Sequence, residues 1–272
     1  MIEPTDKGAI RLDWPAEGIA RVTLCRGSAM NTLTMELLEE FGSALSQLRA
    51  AKTRVLIVTG EGRAFCGGAH IKYFTDETSP FFRNPVAIRD DYVAPIIRVF
   101  AQLRDAPFPT IAAINGFAFG GGCELALNCD FRLMASEAKI GLTETRLGAL
   151  AGAGGVQLLS RIVGRTKALE IALLGDQLTA PQAQETGLVY AVHEADQLAD
   201  AAVAFARRFL LCSPISVAET KRSLYRCETA TAEEADRIAL DAVAVAASGP
   251  EWWEGMSAFT QKRKPDFRLE SK

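Results

Sequence analysis

Three consecutive glycines, Gly120, Gly121 and Gly122, run straight into Cys123-Glu124-Leu125-Ala126-Leu127, and no other stretch limits this chain so tightly. Ahead of them, Pro109-Thr110-Ile111-Ala112-Ala113-Ile114 is an apolar run of strand length, closed by the turn signal Asn115-Gly116. Behind them, residues 123–129 are mostly apolar, as a short buried helix would be. The implied unit is strand, glycine turn, helix. Such a turn offers unpaired N–H groups beside a positive helix end, and it suits an anion or an oxygen that becomes negative. It lacks both GxGxxG spacing and a Lys-Ser/Thr ending, so neither a dinucleotide turn nor a P-loop is implied. The same glycines also make an ordinary tight turn.

A second carboxylate bears on that choice. Glu124 sits in the first turn after the glycines, and Glu144 lies beyond a short apolar run at residues 131–135. A strand there returns the chain and can bring both carboxyls to one pocket. Surface solvation is the plainer role for either.

Composition excludes several classes. A chain of 272 residues, 49% apolar and 23% charged, reads as globular, with room for a large core in one domain or a domain with an appendage. A formal charge of −3 gives no basic surface for nucleic acid. No window reads as a membrane span and residues 1–6 do not read as a targeting segment, so the cytoplasm is the expected compartment. Six scattered cysteines without a CxxC are expected to be reduced and mostly buried. His70 and His193 are the only histidines and form no ligand cluster, so no metal site is expected. Cys66 and His70 are close enough to be weighed as a thiol–imidazole nucleophile, although nothing marks a third, orienting group.

In chain order, residues 9–12 and 18–24 read as a hairpin around residues 13–17. Thr34 can cap a helix through Leu37, Leu38, Phe41, Leu45 and Leu48, and residues 55–60 form a buried strand, which implies a parallel crossover. A second glycine turn, Gly67-Gly68-Ala69-His70, follows that strand, so adjacent parallel strands can deliver both turns to one edge. Residues 74–91 show little periodicity and read either as a mobile or ligand-adjacent segment or as a surface connection. From residue 195 the pattern is helical throughout, which sets an α/β core at residues 1–194 and a helical region at 195–272.

Taken together, Asn31-Thr32-Leu33, residues 62–69, residues 115–126, Gly152-Ala153-Gly154-Gly155 and Lys262-Arg263-Lys264-Pro265 resemble the enoyl-CoA hydratase/isomerase (crotonase) superfamily. The matches run in family order from about residue 10 to residue 267. The resemblance implies a crotonase-like α/β fold, a spiral of repeated ββα units with a helical C-terminal oligomerisation region. It implies a homo-oligomer, trimer or hexamer (a dimer of trimers), acting on an acyl-CoA thioester with no separate cofactor, since coenzyme A is part of the substrate. Its two oxyanion-hole donors correspond to Ala69 and Gly121, and its two hydratase carboxylates to Glu124 and Glu144. Cys66, Gly68, His70, Phe74, Phe119 and Gly120 fall in the implied substrate pocket, and Arg26, Ala29 and Lys262 in the implied CoA contact. Phe81 and Phe82 join Phe74 and Phe119 as acyl-pocket or core aromatics. The implied activity is hydration of a trans-2-enoyl-CoA to a 3-hydroxyacyl-CoA; the superfamily also contains isomerases and ring-cleaving hydrolases, and a non-catalytic acyl-CoA binder is a third reading. His70 stands where the family usually has Asp, and Ala29 and Met30 stand where it often has positive residues.

Overall fold

A computed structural model describes residues 8–267. β1 (Ile10–Ala16) and β2 (Ile19–Leu24) form the expected hairpin. Its turn falls at Glu17-Gly18, later than the sequence suggests. β1 is the edge of its sheet, so Pro15, which has no N–H to donate, is tolerated inside it, and the register slips between Asp13 and Ala16. α1 (Met35–Ala50) begins where the Thr34 hydroxyl accepts the Leu37 N–H, and it buries Leu37, Leu38, Phe41, Ala44, Leu45 and Leu48 on one face.

From there a longer strand alternates with a short one. β3 (Val55–Gly60) leads to β4 (Ala64–Cys66), β5 (Thr110–Ile114) to β6 (Phe117–Phe119), and β7 (Phe131–Ala135) to β8 (Lys139–Gly141). β9 (Leu178–Thr179) and β10 (Ala191–His193) complete two sheets, ordered β1-β2-β3-β5-β7-β10 and β4-β6-β8-β9. The larger sheet is parallel from β2 to β10, and β4, β6 and β8 are parallel in the smaller one. Cys66 pairs with Ala118, and Phe119 with Gly141. The residues after each short strand, 67–70, 120–124 and 142–144, therefore arrive at one edge. The sequence hung the glycine turns on the long strands at residues 55–60 and 109–116. A further strand intervenes each time, and three residues are too few to show alternation.

Residues 72–104 fold as α2 (Lys72–Thr75), α3 (Pro85–Ala87), a π-helical turn (Ile88–Val93) and α4 (Ala94–Arg104). This segment is neither loose nor a plain surface connection. Tyr73, Phe74, Phe81 and Tyr92 pack ring against ring, with centroids 5.3–5.7 Å apart. α5 (Gly121–Leu127) is buried along its whole length, and α6 (Gly155–Val163), α7 (Arg165–Leu174) and α8 (Ala180–Glu185) follow.

α9 (Leu198–Phe209) lies on the larger sheet, with Leu198, Ala202 and Ala206 in the core. α10 (Pro214–Cys227) and α11 (Ala232–Ser248) bury no residue fully, and α12 (Pro250–Thr260) buries only Ala258. α10 is nevertheless anchored: Lys221 Nζ lies 2.7 Å from Asp130 Oδ2, and the Tyr225 hydroxyl donates to Asp130 Oδ1 at 2.8 Å. Among the described residues no single helix is long and apolar enough to cross a membrane.

Candidate active site

The edge reached by β4, β6 and β8 is built from two touching turns. In the first, the Leu33 N–H donates to Gly68 O at 2.8 Å. A trans peptide points its C=O and N–H in opposite directions, so the Ala69 N–H faces away from Leu33. In the second, Gly120 adopts φ 53°, which turns the chain into α5. A Cβ on Gly68, itself at φ 91°, would sit 2.6 Å from Phe119 O and 3.1 Å from Gly121 N. Only glycine allows that approach. The Cβ position of Gly121 lies 3.7 Å from Ala69 N, which sets the two amides side by side. Neither N–H has an acceptor among the described residues.

Two carboxyls stand beside them. Glu124 is 4% exposed. Its Oε1 accepts the Ala153 N–H at 2.7 Å and the Gly155 N–H at 3.0 Å, at the start of α6. Asn128 Nδ2 steadies that junction by donating to Glu124 O and Ala153 O. Burial pushes the Glu124 pKa up to about 7; the Gly155 and Ala153 N–H groups pull against the rise and the Glu144 charge adds to it. Glu144 opens the 3₁₀ turn after β8, with Oε1 3.0 Å from where a Cβ on Gly120 would be. Its Oε2 is buried and has no partner among the described residues, and burial raises its pKa as well. Near neutral pH such a pair can hold one proton between two groups, one ready to accept and one ready to donate.

The other residues picked out by sequence divide. Cys66 is wholly buried and its thiol is pushed up to about 12 by desolvation, which removes the thiol–imidazole nucleophile. His70 is half-buried; its Nδ1 lies 3.0 Å from Thr32 Oγ1 and its ring meets the edge of Tyr73 at 4.7 Å. Phe119 stacks on Phe117, Phe74 joins the aromatic cluster, Phe81 is core and Phe82 packs under Arg83. Arg26 pairs with Glu36 at 2.6 Å beside the exposed Ala29 turn. Lys262 is exposed, and no hydrogen bond or ion pair among the described residues ties it to that turn; its neighbour Arg263 is held by Glu254 at 2.5 and 2.8 Å. Sequence reasoning missed Tyr92, and it gave no role of their own to Leu33, which with Tyr92 braces the Ala69 loop, or to the Ala153 and Gly155 amides that hold Glu124. The Gly152–Gly155 run enters the sequence reading as part of the family resemblance, with nothing to tie its amides to Glu124, although its glycines are the signal for such an amide cradle.

Paired N–H donors beside paired carboxyls suit a carbonyl compound whose oxygen becomes negative while protons move on neighbouring carbons. The chain belongs to the enoyl-CoA hydratase/isomerase family, whose model matches residues 15–270. It is 34% identical over 250 residues to the probable mitochondrial enoyl-CoA hydratase of Dictyostelium discoideum, covering 92% of this chain and 87% of that one. It is also 34% identical over 253 residues to the 1,2-epoxyphenylacetyl-CoA isomerase of Escherichia coli K12, covering 92% and 95%. The crystal structure of enoyl-CoA hydratase from Bacillus anthracis superposes with TM-score 0.90 at 34% identity, covering 96% of this chain and 100% of that one. The fold is that of the crotonase superfamily.

Proposed function

We propose that this chain is an enoyl-CoA hydratase that adds water syn across the double bond of a trans-2-enoyl-CoA. The observation that carries the proposal is the pair of unpaired amides, Ala69 and Gly121, set beside two carboxyls of raised pKa. The thioester oxygen accepts both N–H groups, which draws electron density from Cβ. Ionised Glu124 takes a proton from water as the water oxygen bonds to Cβ. The π pair moves to give an enolate whose O⁻ is held by the two amides. In the reacting arrangement the one proton that the pair holds sits on Glu144, which delivers it to Cα, and the enolate collapses to the thioester. One water is added, and the proton gained by Glu124 replaces the one lost by Glu144 after exchange with solvent. Donors fixed in advance favour the enolate over the substrate, and losing one typically raises the barrier by about 3 kcal/mol.

Gly68, Gly120, His70, Phe74 and Phe119 surround the acyl end in this reading, and Arg26, Ala29 and Lys262 lie towards the CoA end. The C-terminal helices join copies into a trimer or a dimer of trimers. Its support is the exposed apolar surface: Trp253, Met256 and Phe259 on α12, Phe259 being 86% exposed, and Leu169, Leu173 and Leu174 on α7. The cytoplasm is our reading of the compartment, supported by six free cysteines.

The likeness to an epoxyphenylacetyl-CoA isomerase favours one second reading, a double-bond or ring isomerase using the same oxyanion hole. A turnover panel of short, branched, aromatic and long enoyl-CoAs separates the two. A hydratase bleaches the conjugated absorbance and yields a product heavier by one water. Products of unchanged mass across the panel would replace hydration with isomerisation.

A further inference from the structure

The Ala69 loop is held on one side by Leu33, in the only parallel bridge outside the named strands among the described residues. In an ordinary parallel ladder the Leu33 N–H would bond Gly68 O and the His70 N–H would bond Leu33 O. The first bond is present at 2.8 Å. The second is replaced by a phenol: the His70 N–H donates to the Tyr92 oxygen at 3.1 Å, and the Tyr92 hydroxyl donates to Leu33 O at 2.8 Å. One side-chain oxygen is thus spliced into a backbone ladder, next to the residue whose amide faces Gly121.

We propose that Tyr92 is a positioning residue for the oxyanion hole, its hydroxyl setting the direction of the Ala69 N–H. The inference rests on the assignment of Ala69 as a thioester donor. Both peptides flanking Ala69 are fixed, the first through Gly68 O and the second through the His70 N–H. With both ends held, the Ala69 amide has little freedom to turn away from the carbonyl oxygen. The brace is itself rigid. Tyr92 is 2% exposed and its ring is packed by Tyr73, Phe74 and Phe81. It rides on the π-helical turn, a form that recurs at functional sites because its wider turn re-aims a side chain. A donor fixed before the substrate arrives needs no reorganisation during the reaction.

Without the hydroxyl, Leu33 O and the His70 N–H either close directly on each other or lose their partner in a buried place. Each result moves the Ala69–His70 peptide. The test uses Tyr92→Phe, with kcat and KM on trans-2-butenoyl-CoA and the infrared carbonyl band of bound 13C-carbonyl butanoyl-CoA, a saturated thioester that cannot be hydrated. The expected result is a fall in kcat of about 10- to 100-fold with KM within about threefold, and a carbonyl band shifted back towards its position in water. Tyr92→3-fluorotyrosine keeps both hydrogen bonds and retains most of the wild-type kcat, which also covers a Tyr92→Phe chain that does not fold. Phe41→Leu, a core change on α1, loosens the fold without moving the band. Wild-type kcat and band in folded Tyr92→Phe would reduce Tyr92 to packing and overturn the proposal, as would equal losses in the phenylalanine and fluorotyrosine variants. A wild-type band with no shift from water would remove the Ala69–Gly121 donor pair, and this inference with it.

Discussion

Glu124→Gln should make the protein more stable at alkaline pH while removing its chemistry. The carboxyl is almost wholly buried, and its pKa in the fold is about 7 against an ordinary 4.5. An acid whose pKa is raised by folding binds its proton more tightly in the native state. Its favourable contribution is complete below about 4.5 and is lost as pH rises through about 7. At 1.36 kcal/mol per unit, ionised Glu124 burdens the fold by about 3 kcal/mol above pH 8. Glutamine never ionises, and its oxygen can still accept the Ala153 and Gly155 N–H groups. The variant should therefore match wild type within about 1 kcal/mol at pH 5 and exceed it by about 2–3 kcal/mol at pH 8.5. Urea unfolding of both proteins at the two pH values and one protein concentration measures this, because titrating groups that do not sense Glu124, all but its neighbour Glu144, cancel in the difference. An equal stability gap at both pH values would show that Glu124 carries no burial penalty, and the account of its raised pKa would be wrong.

Three further outcomes follow from the same geometry. Gly120→Ala places a methyl 3.0 Å from Glu144 Oε1 at a backbone φ of 53°, so kcat should fall about tenfold or more in a protein that still folds, read by steady-state kinetics beside circular dichroism. A carboxyl 13C titration should find Glu124 near 7 and move it lower in Glu144→Gln, because a neighbouring negative charge has gone; an unchanged value would mean the two carboxyls do not sense each other. Lys221→Met leaves Asp130, itself mostly buried, without its cation and should destabilise the fold by about 3 kcal/mol in urea, with α10 losing hydrogen-exchange protection first.

The parts legible in the sequence are those set by local pattern. Residues 55–60 and 131–135 are the strands their apolar runs suggest, and Thr34 caps the helix its periodicity demands. Both glycine turns and both carboxyls meet at one edge. What stayed hidden depends on contacts distant in sequence. β4, β6 and β8 have three residues each, and only their pairing with one another makes them strands. Tyr92 reads as one aromatic among several until the π-helical turn aims its hydroxyl at Leu33 O. Asp130 gives no hint in sequence that it will receive Lys221 and Tyr225 from a helix that begins at Pro214. Residues 13–17 read as the hairpin turn, yet β1 runs on to Ala16, because at the edge of a sheet Pro15 costs no ladder hydrogen bond.

The central claim is that Glu124 and Glu144 work together on one water, and kcat for wild type, Glu124→Gln, Glu144→Gln and the double variant tests it most directly. Each single change should lower kcat by about 100- to 10,000-fold with thioester binding largely intact. Groups that act as a unit are not additive, so the double variant should lose far less than the product of the single losses. Near-wild-type kcat in Glu124→Gln alongside an inactive Glu144→Gln would contradict the paired-carboxyl hydratase and leave a single-carboxylate isomerase in its place.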